Sequence, residues 1–110
     1  MAFVEPPPMP AFIQSQFGCN RRAWKMEGGQ DQGLVMSFVD HGMEDGFPIF
    51  MMHGNPTWSF LWRKVIAELD PKRFRCIAPD AFGLGFSSKW PRLKDHSLER
   101  HVDALVELIE

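Results

Sequence analysis

The chain has 110 residues, 45% of them hydrophobic, and a formal net charge of −2. Those values fit one globular domain or part of one, and exclude disorder throughout. Basic residues such as Arg21, Arg22, Arg63 and Lys64 are scattered among acids, so there is no electrostatic footprint for nucleic acid.

No apolar run approaches the ~18 residues of a membrane span. The N-terminus also lacks the basic start and apolar stretch of a signal peptide. Cys19 and Cys76 lie far apart, in no CxxC and beside no His pair. They read as two reduced thiols of a cytoplasmic protein rather than as a disulfide or metal pair.

Residues 1–19 carry Pro6, Pro7, Pro8 and Pro10, which fix φ and remove donors, so an extended arm is predicted there. Residues 20–110 form the remaining unit. It opens with a short strand from Arg21 to Met26, broken by "EGGQDQGL", and a second strand from Leu34 to Asp40. "HGMEDGF" returns the chain into a third strand, Ile49 to Met52, extended back to Phe47. Its lack of polar alternation predicts burial on both faces.

A helix from Trp58 to Leu69 follows, stopped by Pro71, and then a fourth strand from Phe74 to Pro79. A glycine-punctuated loop leads to a last helix from Ser97, its N-cap, with Leu98, Val102, Leu105, Val106 and Ile109 on one face. The order predicts an α/β fold with an antiparallel hairpin followed by parallel β-α-β pairing. A helix leaving a parallel sheet normally returns to another strand, so the chain is expected to be incomplete.

Chemistry concentrates at "HGNPTWSFLWRK", residues 53–64, directly after the apolar third strand. Open α/β sheets bind ligands at the C-terminal ends of their strands. Asn55 there offers two N–H donors suited to an anion that forms during reaction, and it could equally cap a turn with Gly54. Pro56 fixes the chain as it enters the helix. His53 has no neighbouring nucleophile or orienting acid and reads as a packed support for the loop. Trp58 and Trp62, four apart, would share one helix face as core or pocket lining. His96 and His101 read as surface residues.

Asp80 could by position be a carboxylate nucleophile, or an acceptor for backbone N–H groups of the next loop. "GLGF", residues 83–86, is too weak for a dinucleotide loop or a peptide-binding loop, since neither a helix nor a strand follows it. No G-x-S-x-G elbow occurs, and Glu44 in "GMEDG" has no helix behind it. The chain therefore offers no nucleophile–base pair.

"HGNPTWSFLWRKVIAEL" with "RCIAPDAFGLGFSSK" resembles the N-terminal half of haloalkane dehalogenases, within the α/β-hydrolase fold, from about Met36 to Glu110. Epoxide hydrolases share the HGxP corner, and the Asn of HGNP with Thr-Trp-Ser favours the dehalogenases. The resemblance implies attack by an aspartate on a halogen-bearing carbon, with Asn55 stabilising the departing halide and a His activating water. Nucleophile, base and acid would lie beyond Glu110, so this chain alone is expected to be inactive.

The resemblance implies no metal or organic cofactor, and a small organohalide or epoxide as substrate. It also implies a cis peptide between Asn55 and Pro56, and strand order 1-2-4-3 with a fifth strand beside the third. Without that fifth strand the chain should expose apolar surface around Phe50 and Met52 and self-associate. Ala81 and Trp90 depart from the family's pattern, which would expect a bulkier apolar residue and a proline. A non-catalytic fragment or binding domain is the alternative from another class.

Overall fold

The computed structural model describes residues 3–27, 31–54, 57–90 and 97–109. A two-residue strand β1 (Phe3–Val4) precedes helix α1 (Ala11–Phe17), strand β2 (Arg21–Lys25) and strand β3 (Val35–Gly42). Strand β4 (Phe47–Phe50) leads through a 3-10 turn (Ser59–Trp62) into helix α2 (Arg63–Glu68), then strand β5 (Phe74–Pro79) and helix α3 (Leu98–Ile109).

The strands form one sheet of order β1-β2-β3-β5-β4. β2 and β3 pair antiparallel as the predicted hairpin, with Arg21 opposite Val39 and Lys25 opposite Val35. β4 and β5 pair in parallel, with Ile49 beside Cys76. The four strands read from the sequence thus lie in the order 1-2-4-3.

Side-chain alternation along these strands builds two cores, one on each face of the sheet. On one face Val39, Cys76 and Ala78 are buried against Phe17 of α1 and Ile66 of α2. On the other, Met26, Met36, Phe82 and Trp90 pack with Ala104 of α3. Met36 and Ile66, each about 1% exposed, contribute roughly 1.5–3 kcal/mol apiece by burial.

Five expectations are corrected. The arm is not extended throughout: Ala11–Phe17 is helical, because a proline-free stretch follows Pro10, whose carbonyl accepts from the Ile13 and Gln14 amides. Gly18, at φ 66°, ends that helix, and Phe17 enters the core. β4 is not buried on both faces, since Phe47 is 70% and Phe50 42% exposed. Among the described residues it lies at the rim of the sheet, paired on one side only, with β5.

Trp58 stands before the helix with an extended backbone, so it shares no helix face with Trp62. Finally, α3 turns a different side to the sheet than its apolar stripe suggested. Ala104, Leu105 and Leu108 pack inward while Leu98, Val102, Val106 and Ile109 stay exposed. The Arg100–Asp31 ion pair at 2.6 Å and the ring of Trp90, 4.7 Å from His101, set that rotation. His101 is therefore half-buried rather than a surface residue. Ser97 caps α3 as expected, its hydroxyl accepting from the Arg100 amide.

The direction of β4's amides matters for its rim. Phe47 and Met51 donate to Arg73 and Ile77 across β5. Residues of opposite parity, Pro48 and Phe50, therefore face the open side, and Pro48 has no N–H to offer there.

Cys19 and Cys76 are both free thiols. Burial, with Cys76 close by, pushes the Cys19 thiol up to about 11. Trp90, one of the departures from the family's pattern, is 5% exposed and donates its indole N–H to Asp31 at 2.9 Å.

Candidate active-site corner

The segment after β4 is fixed by two buried side chains that reach between loops. His53, 6% exposed, accepts the Ala81 amide on Nε2 at 3.0 Å. Its proton therefore sits on Nδ1, which donates to the Gly54 carbonyl at 2.7 Å. Both ring nitrogens are spent on backbone, so His53 supports the loop and has no lone pair free for proton abstraction. The Gly54 carbonyl also accepts from the Thr57 amide (3.0 Å) and hydroxyl (2.7 Å), which ties Thr57 to Gly54. Asn55, Pro56 and the peptide bond between them lie outside the described residues, as does His96.

Asp80 supplies the second bracket. It is 1% exposed at the end of β5. Oδ1 accepts the Ser59 amide at 2.8 Å, and Oδ2 the Phe86 amide at 3.1 Å. The carboxylate ties the start of the 3-10 turn to the glycine loop, which is the acceptor role and not that of an accessible nucleophile.

Gly85 permits this. At φ +55° it occupies left-handed backbone, and a Cβ there would fall 2.5 Å from the Asp80 carboxylate. Ser87 completes the knot: its hydroxyl donates to the Asp80 carbonyl at 2.6 Å and accepts the Ser37 amide at 2.8 Å.

Around the corner lies an aromatic wall. Trp58 stacks on Phe60 at 5.2 Å and meets the Phe86 ring edge-on at 5.4 Å. The Arg21 guanidinium lies 4.9 Å from the Phe86 ring centre. Burial pushes the Arg21 guanidinium below its usual range, and Asp80 nearby works in the opposite direction.

The structure thus brings together His53, Gly54, Trp58 and Asp80, all weighed in the sequence, and adds Ser59, Arg21, Ser37 and Ser87. A signal for Ser37 was available: a serine at an inward position of a buried strand needs a partner. Among the described residues no cluster of three or more His, Cys, Asp or Glu could hold a metal ion. Nor is any described helix long and apolar enough to cross a membrane.

A strand, a bracketed segment and a helix, followed by a parallel strand that ends in a buried acid, are the arrangement of the α/β-hydrolase fold. The chain belongs to the alpha/beta hydrolase fold family, whose model matches residues 48–110, and it corresponds to an N-terminal portion of that fold. A haloalkane dehalogenase of Mycolicibacterium paratuberculosis is 46% identical over 77 residues, covering 70% of this chain and 26% of the relative.

A cis-3-alkyl-4-alkyloxetan-2-one decarboxylase of Xanthomonas campestris pv. campestris is 41% identical over 85 residues, 71% of this chain and 28% of the relative. Among solved structures, the tetrameric haloalkane dehalogenase DpaA of Paraglaciecola agarilytica NO2 aligns with TM-score 0.83 and 30% identity. That alignment covers 99% of this chain and 36% of DpaA. The chain spans about a quarter of the length of the curated relatives it matches.

Proposed function

We propose that this chain supplies the anion-stabilising corner of a hydrolase that cleaves carbon–halogen bonds in small organohalides. Asn55 is the residue assigned to the departing halide, through its carboxamide N–H groups, with Gly54 and Pro56 shaping the turn and Trp58 lining the pocket. The observation that carries this reading is the double bracket of His53 on Ala81 and Asp80 on Ser59. It fixes the described residues on either side of Asn55, at His53 and at Ser59, and a donor aimed at developing charge stabilises it only if it is held in place beforehand.

In the complete enzyme the halide leaves as an aspartate attacks the halogen-bearing carbon, forming an alkyl ester that water hydrolyses. Those groups come from outside residues 1–110, and the chain alone serves as the inactive blank. No metal or organic cofactor enters this scheme. The free thiols suit a reducing, cytoplasmic setting.

The test is a hybrid in which this chain replaces the matching portion of the Mycolicibacterium dehalogenase. Bromide release from 1-bromobutane is expected, and Asn55→Ala should lower it by roughly 10²–10³-fold, the usual loss for one such donor. Wild-type bromide release by the Asn55→Ala hybrid would show that the residue is misassigned. A hybrid that opens epoxides and releases no bromide would move the reading to an epoxide hydrolase.

A further inference from the structure

Arg21 and Arg22 are adjacent on β2 and so point to opposite faces of the sheet. Arg22 belongs to a conventional ion cluster with Asp40 at 2.9 Å. Arg21 has no carboxylate within salt-bridge distance among the described residues. One of its nitrogens, Nη2, donates to two oxygens, the Pro7 carbonyl at 2.9 Å and the Ser37 hydroxyl at 3.3 Å. Its guanidinium carbon lies over the Phe86 ring, 4.9 Å from the ring centre. A half-desolvated guanidinium is thus spent on three uncharged groups from three separate segments.

We propose that Arg21 is a positioning residue, which clips the proline-rich arm onto the loop from Asp80 to Ser87 and thereby holds the wall of the anion-stabilising corner. The proposal rests on the reading of that corner given above. Three consecutive prolines present the Pro7 carbonyl on a stiff backbone that forms no internal hydrogen bonds, so the acceptor is rigid before Arg21 meets it.

From Phe86 the constraint passes on by contact. The Phe86 amide is held by Asp80, whose other oxygen holds the Ser59 amide. The Phe86 ring meets Trp58, the residue before Ser59. The Pro-rich arm is, on this account, a strap belonging to the hydrolase body.

Hydrogen exchange of the chain, read by mass spectrometry at micromolar concentration, tests this. Arg21→Met should speed exchange about tenfold in segments 57–62 and 82–88, the loss expected for a hydrogen bond from a charged donor. Segment 98–109 should not change. Arg22→Met, on the opposite face, should leave both loops unaltered.

Replacing Pro7 and Pro8 by Gly loosens the strap without removing its carbonyl. It should speed the same two loops and add nothing when combined with Arg21→Met. Unchanged loops in Arg21→Met, equal acceleration in segment 98–109, or additive effects would each overturn the proposal. Should Arg21→Met fail to fold, Arg21→Lys decides: it keeps the charge but loses the flat face, so loops as protected as in the parent would refute the clip. No turnover is measured, so this result and bromide release by the hybrid can fail separately.

Discussion

Replacing Asp80 by Ala removes one side chain and strands two donors, one buried and one half-buried. The Ser59 and Phe86 amides, at 2.8 and 3.1 Å from the carboxylate, would lose their only described side-chain acceptor. Hydrogen bonds to a charged acceptor are worth roughly 1.5–3 kcal/mol each, so the pair gives about 3–6 kcal/mol. Water cannot readily take over, because the carboxylate is 1% exposed. That loss is large against a typical domain stability of about 5–15 kcal/mol.

For a domain of this size about 4 °C of melting temperature corresponds to each kcal/mol, so the midpoint should fall by about 12–24 °C. Asp80→Asn keeps one acceptor oxygen and should lose about half as much. Thermal melts followed by circular dichroism provide the assay. A fall of less than about 5 °C in Asp80→Ala would mean that the two amides find other acceptors, and the bracket would not be what fixes the corner.

Acid stability gives a second test through Asp40. Its burial would raise the carboxyl, but hydrogen bonds from Arg75 and Arg22 outweigh that and hold it below its ordinary value of 3.8. A lowered folded value means that the contribution is full at neutral pH and is lost as pH falls below the ordinary carboxylate range. Asp40→Asn should therefore flatten the decline in melting temperature between about pH 5 and pH 2, and an unchanged slope would count against the ion cluster.

Cys19, pushed up to about 11, should react slowly with iodoacetamide at pH 8 and much faster as pH approaches that value. Rapid alkylation at pH 8 would contradict it. Self-association through the β4 rim should shift the elution volume with concentration in size-exclusion chromatography, and Phe50→Lys should abolish the shift. A shift that survives the substitution would place the contact elsewhere.

Local sequence grammar was enough for most of the fold. β5 matches its reading from Phe74 to Pro79, because an apolar run between Asp70-Pro71 and a glycine loop has few alternatives. His53 and Asp80 were legible as supports because neither had a catalytic neighbour in sequence.

What the sequence did not reveal depends on which side of an element meets the rest. The stripe on α3 is apolar, yet the helix is rotated by the ion pair of Arg100 with Asp31, 69 positions away. Trp58 fits helical spacing with Trp62, but Asp80 draws the Ser59 amide and makes the backbone enter the helix one turn late. The role of Arg21 was hidden in the same way, since nothing in "NRRAW" reveals that one arginine meets an acid and the other a proline carbonyl.

The missing donor at Pro48 sets a limit on how copies of this chain can join. On the open side of β4 the first amide available to an incoming strand belongs to Phe50, so a neighbour can dock in one alignment and not slide along the rim. The opposite rim is β1, only two residues long. Two copies meeting through β4 would consume both pairing-competent edges, leaving a two-residue stub at each end. Growth by edge addition would then stop at a pair instead of running on into a fibre.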